Sequence, residues 1–360
     1  MIEQNRKYSL RRQNGLTMIE LMIAMLVGLL LMGGVVQLFV STKQSYNIQE
    51  AQARVQENGR LAMNFLPYDI RLADFQGCRS RQQYSTTIIA VPTVDCPNNK
   101  DCPPSLDTSL FELKSGITGE NDIQYGTADA TEGTQTVVVG TDKLGIQFAG
   151  SCGGYIVGNY DTSNANIQID GKNTCNVKKY WPYLISDCAR SHVFRAESLN
   201  KNATKETIAL PQSVNLANQL ANIYKSDAEL FSIRSLTYFV SKNPSGHNSL
   251  YRRDHVTGIN EEIVEGVEDM QILYGDDTDG DNTANYYVDA SNFPVDAGTG
   301  KRKMQNVKSL KISLLLRSLS DVNVTSQPIP YAYNGAKLTA GDRQLRKVFT
   351  TTVTLRNRLP

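Results

Sequence analysis

The chain has 360 residues, 40% hydrophobic, 8% aromatic and 20% charged, with 37 basic and 36 acidic side chains and a net charge of +1. Such a balance gives a polyanion nothing to bind, so nucleic acid is excluded as an expected partner. The three histidines, His192, His247 and His255, come with no G-x-S-x-G, no phosphate-cradling Gly loop and no H-E-x-x-H, and Asp254-His255 reads as an exposed turn, so no enzyme is expected.

From Leu21 through Thr42 no residue is charged. At about 1.5 Å rise per residue, roughly 20 helical residues cover the ~30 Å hydrocarbon core of a bilayer. Within residues 1–15 stand Arg6, Lys7, Arg11 and Arg12 against one acid, Glu3. The positive-inside bias therefore keeps residues 1–15 in the cytoplasm and exports the residues beyond the span. The apolar run is too long for a secretory signal peptide and lacks its small-residue exit, and Arg11-Arg12 stands too far from it for twin-arginine export. A plain signal anchor is the simpler alternative. It leaves Glu20 unexplained, since a lone carboxylate at depth costs on the order of 2–3 kcal/mol unless it stays at the interface or meets a cation. An amine freed by cutting between Gly15 and Leu16 would supply that cation.

Beyond Ser41 the helix is expected to continue with one apolar face. Ile48, Ala51, Val55, Ala62 and Phe65 recur near a 3.6 period among Gln, Glu and Arg. Gly28, Gly33, Gly34 and Gly59 are weak helix residues, marking either bends or close packing. Pro67 is expected to disrupt the ladder, with a last turn or two after it, and Gly77 to end the spine near residue 75.

Six cysteines, Cys78, Cys96, Cys102, Cys152, Cys175 and Cys188, come next on the exported side. They suggest up to three disulfides in an oxidising compartment, with 15 connectivities. Loop closure favours Cys96–Cys102 and Cys152–Cys175. Zinc is disfavoured, because no C-x-x-C pair exists and only His192 lies near a cysteine. Proline and glycine punctuate 77–190, which reads as a stapled surface insertion with short strands at 122–125, 136–139 and 144–148. Later stretches have strand character: 192–195, 230–240, 249–252, 262–274, 307–316 and 348–355. The last two are expected to be adjacent antiparallel strands covering the spine.

Asp277-Thr278-Asp279-Gly280-Asp281-Asn282-Thr283 alternates its acids. Asp277, Asp279 and Asp281 would set three hard oxygens on one side of a turn, which suits Ca2+. The EF-hand pattern is broken at Asn282 and Val288, and a solvated Asp-Gly hairpin is the other reading. No cofactor is required by anything in the sequence.

Gly15-Leu16-Thr17-Met18-Ile19-Glu20 with its uncharged span resembles the class III signal of type IV pilins and pseudopilins. Glu265 to Gln271 running into Tyr274-Gly275, then Ser313 to Ser318, then Arg346 to Val353 are similar, in that order, to PilW-type minor pilins. Leu16 departs from the commoner Phe, and Met18 from the usual Leu. The resemblance implies cleavage by the prepilin peptidase after Gly15, methylation at Leu16, and a Glu20 carboxylate that pairs with a neighbouring subunit's amine. It implies an α+β pilin-like fold, a long N-terminal helix packed against an antiparallel sheet with a disulfide-bearing, loop-rich insertion. The expected divisions are a leader (1–15), a transmembrane half-helix (16–42), an exported amphipathic half-helix (43–76), a cysteine-containing region (77–190) and a β-sheet head (191–360). Expected partners are other minor pilins, the major pilin, the inner-membrane assembly platform and membrane lipid, with the head in the periplasm and later in a pilus fibre. A J-like type II secretion pseudopilin, or a membrane-anchored periplasmic enzyme or binding protein, is the alternative.

Overall fold

The computed structural model describes residues 15, 17–77, 86–91, 116–124, 130–157, 166–295, 297, 302–322 and 330–359. One helix, α1, runs unbroken over Met18–Leu72, 55 residues. Thr17 caps its start, and Ala73 leaves helical geometry at its end. Its first buried residue is Val55, and residues 18–43, all exposed, stand clear of the head for about 39 Å.

Pro67 lies inside α1, buried, and the helix continues for five more residues. The expected disruption is thus confined to one missing N–H, because packing of Leu66 and Ile70 against the sheets holds the last turns in place. The buried face is Val55, Gly59, Ala62, Leu66 and Ile70, whereas Phe65, expected in it, is 38% exposed. Phe65 instead lies beneath the Arg252 guanidinium, 5.9 Å from its ring centroid. The carbonyls that α1 leaves open are met from the far end of the chain: Asn357 Nδ2 donates to Arg71 O (3.1 Å) and Ala73 O (2.9 Å).

The described strands, in order, are β1 Thr86–Ile88, β2 Ile117–Glu120, β3 Thr131–Glu132, β4 Gln135–Thr136, β5 Lys143–Tyr155, β6 Asn166–Asp170, β7 Trp181–Ser186, β8 Ser191–Lys201 and β9 Lys205–Ala209. Then come β10 Glu229–Lys242, β11 Asn248–Asp254, β12 Ile259–Glu265, β13 Val267–Asp276, β14 Tyr286–Val288, β15 Val307–Arg317, β16 Pro330–Tyr333, β17 Ala336–Thr339 and β18 Arg346–Thr354. A large sheet has the order β12-β11-β10-β7-β8-β9-β6, with β5 on the second edge of β10, β2 beyond β5, and β1 parallel to β8. One edge of β10 is divided: Glu229–Ser232 pair with β7 and Leu236–Lys242 with β11. A smaller sheet, β14-β13-β15-β18, is antiparallel throughout, with Ile312 opposite Thr351.

The expected single stretch 262–274 is two strands in two sheets. Gly266, at φ 83°, lets the chain pass between them. A Cβ there would also meet Arg317 O at 2.8 Å. No strand forms at 121–124; Asp122 turns the chain at φ 45° and donates its N–H to Asp142 Oδ1 (2.9 Å). The described part of 77–190 is built into the head rather than laid on its surface. β5 pairs along β10 from Tyr155 to Leu144, and β7 lies beside it.

The main core joins α1 to both sheets through Leu66, Ile70, Leu144, Tyr238, Ile272, Leu310 and Leu314, all at most 1% exposed. A second core, around Ile167, Phe194 and Leu220, contains the Cys152–Cys175 disulfide. Its closed loop spans 23 residues, which in the chain-entropy account stabilises by about 3 kcal/mol. Cys188 is also disulfide-bonded. Cys78, Cys96 and Cys102 lie outside the described residues, and the expected Cys96–Cys102 pair with them.

Candidate functional site: the N-terminal signal and the acidic loop

Gly15 is exposed, with open space where a Cβ would stand. Leu16 lies outside the described residues. Glu20, in the first turn of α1, is exposed and closes a capping box with Thr17. Its carboxylate accepts from Thr17 N (3.2 Å) and Thr17 Oγ1 (3.3 Å), while Glu20 N donates to Thr17 Oγ1 (3.3 Å). Thr17 is a residue that the charge and hydropathy pattern does not single out, although Thr-x-x-Glu before an apolar run is the signature of this cap. The arrangement satisfies two orphan N–H groups and places the one carboxylate of the span at the positive end of the helix dipole.

Beyond that cap the helix surface is apolar and uncovered. No residue of its apolar stretch is buried. Met22, Leu26, Leu29, Leu30 and Phe39 are each more than 60% exposed. An apolar face of this size is unstable in water and needs lipid or other helices around it.

The helix is tied to the head by polar links as well as by apolar packing. Tyr238 Oη donates to Asp69 Oδ2 (2.6 Å), and Arg252 Nη1 donates to the same oxygen (3.1 Å). Burial and the Asp69 charge push the Tyr238 hydroxyl upward, keeping it a donor. Arg358 reaches Asp74 in a fully buried ion pair and also donates to Val307 O (2.9 Å).

The carboxylates of Asp277, Asp279 and Asp281 come together, with one oxygen from each within 4.8 Å of the others. Asp277 is 4% exposed and accepts from Gly280 N (2.7 Å) and Asn282 N (3.0 Å). Lys308 Nζ stands 3.6 Å from Asp277 Oδ2 and donates to Asn282 Oδ1 (2.9 Å). Desolvation raises the Asp277 carboxyl, but those N–H donors and Lys308 outweigh it and hold it below the usual range. Asp281 is lowered by the hydroxyl and N–H of Thr283. Calcium takes six to eight oxygens. The loop gathers three of the ligands such an ion would want; backbone N–H groups donate to all three carboxylates, and the ammonium of Lys308 stands beside Asp277.

The chain matches the family described as type IV pilus-assembly protein W over residues 237–357. Over residues 10–36 it matches the prokaryotic N-terminal methylation motif. Comparison with curated proteins and with solved structures gave no match. The first region covers β11 to β18 and part of β10, among them the α1-packing strands β12, β15 and β18; the second covers Gly15, Glu20 and much of the span. A methylation motif ahead of a long apolar helix fits a single-pass inner-membrane anchor with its head in the periplasm. With the helix-and-sheet fold they accompany, the two matches support a PilW-type minor pilin with a prepilin-type N-terminal signal.

Proposed function

We propose that this protein is a structural subunit held in the inner membrane by residues 21–42 until it is drawn into a pilus fibre, where it joins other minor pilins at the tip and primes assembly beneath the major pilin. The prepilin peptidase cuts between Gly15 and Leu16, and Leu16 is methylated. Helix-to-helix packing of apolar spines then holds the fibre together, and Glu20 neutralises the Leu16 amine of an adjacent subunit. The observation that carries this reading is the projecting half of α1: an uncovered apolar surface whose single carboxylate sits in the first turn, next to the cut. Pairing it with an amine removes the cost, about 2–3 kcal/mol, of taking a lone carboxylate into an apolar environment. No catalytic step is assigned.

Peptide mass spectrometry of the N-terminus, on protein from membranes and from sheared fibres, with and without the prepilin peptidase, tests this. A chain beginning at N-methyl-Leu16 and recovered in fibres is expected. A chain still beginning at Met1 removes the assembly role of Glu20, and recovery with secretion-system subunits transfers the protein to the pseudopilins.

A further inference from the structure

A groove of about 810 Å³ opens where α1 leaves the head, between residues 47–58 of the helix, the end of β12 and the segment 317–322 after β15. Its floor is apolar, with Val55 and Val264 buried and Leu319 half-buried. Its rim is acidic: Glu50, Glu57, Glu265 and Asp321 face two guanidiniums, Arg54 and Arg317. Neither arginine is available to the excess. Arg54 is bound to Glu50 on its own helix at 2.8 Å, and Arg317 is directed to Glu268 at 3.7 Å. Glu265 accepts from Asn243 Nδ2 (3.0 Å). Glu57 and Asp321, on opposite walls and both exposed, have no ion-pair or hydrogen-bond partner among the described residues.

We propose that this groove receives a lysine or arginine side chain from a neighbouring pilin-like subunit. The inference rests on the assembly reading above and names a contact within it. A long cationic side chain lays its methylene stem on apolar surface and keeps its charged head among polar groups, and the groove offers that combination: a Val/Leu floor beneath two carboxylates with no cation of their own. The location supplies the neighbour, since the groove is continuous with the helix face along which subunits would pack. Charges on such a rim act on register and on the rate of encounter, and a like charge in their place repels.

The test uses the full-length chain in cells that assemble fibres. Carbodiimide, which joins carboxylates directly to lysine amines, is applied to sheared fibres, and linked peptides are identified by mass spectrometry. In parallel, Glu57→Arg/Asp321→Arg is compared with Glu57→Gln/Asp321→Asn for incorporation, after the thermal midpoint of each purified variant shows that its head is folded. Expected are cross-links from Glu57 or Asp321 to another subunit's lysine, or, for an arginine partner, no such link but incorporation reduced about tenfold by charge reversal and less by neutralisation. Protein that enters fibres without these cross-links and is incorporated equally after charge reversal overturns the groove contact and leaves the assembly reading standing. A wild-type chain absent from fibres overturns both.

Discussion

The ring of Phe349 on β18 occupies the space that a Cβ on Gly59 of α1 would require. At this point, then, Gly59 marks a close approach of helix to sheet, whereas a Cβ placed on Gly28, Gly33 or Gly34 would meet nothing within 4 Å. Gly59→Ala gains up to about 1 kcal/mol of helix propensity but forces an overpacked contact that costs about 1–3 kcal/mol. A net loss of roughly 1–2 kcal/mol is expected in urea unfolding. In a Phe349→Ala background the same substitution should cost less, because the coupled ring is gone. Equal costs in both backgrounds would show that the ring is not the obstacle.

Arg358 and Asp74 couple the last turn of the chain to the exit of α1, both under 4% exposed. Arg358→Met removes the guanidinium from a buried carboxylate that also accepts from Gly116 N at 2.7 Å, and a loss of about 3–5 kcal/mol is expected. Adding Asp74→Asn should recover part of it. A destabilisation below about 1 kcal/mol in the single variant would mean that water replaces the guanidinium.

Asp142 joins the two sheets: its N–H donates to Met270 O (2.9 Å) and its carboxyl accepts from Ile272 N (2.7 Å). Burial is the main cause that pushes this carboxyl from 3.8 up to about 7. The N–H groups of Asp122 and Ile272 act against the rise, and the Asp122 and Asp269 charges add to it. A raised carboxyl holds its proton more tightly folded than unfolded. Its contribution is therefore fully present below about pH 4 and is lost as pH climbs through about 7, amounting to as much as about 4 kcal/mol. Unfolding free energies measured from pH 4 to pH 8 should carry this downward component. Asp142→Asn should flatten it, and an unchanged profile in that variant would rule Asp142 out as its source.

Because Lys308 and four backbone N–H groups already hold the carboxylates of Asp277, Asp279 and Asp281, removing metal should not unfold the loop. Excess chelator is expected to shift the thermal midpoint by less than about 1 °C. A midpoint several degrees higher in millimolar calcium, and lost in Asp279→Asn, would instead reveal a site that binds the folded state.

The anchor and the signal were legible in the sequence because they depend on local properties alone. An uncharged run, a basic flank and the Gly15–Glu20 spacing need no partner to be recognised. Two of the late strands could be read for a similar reason, since β-branched and apolar residues fill 307–316 and 348–355. Helix existence was equally plain, but which residues of its exported half face the core was not: Phe65 fits the period as well as Leu66 does, and the sheet beneath chose Leu66. Pro67 stayed helical because long-range packing outweighed a local penalty. The passage at Gly266 between sheets, the insertion of β5 beside β10, the Asp74–Arg358 pair and the ammonium of Lys308 beside Asp277 all join residues far apart in sequence. Composition and spacing carry no record of such neighbours. Only the tertiary structure, by bringing them within bonding distance, decided them.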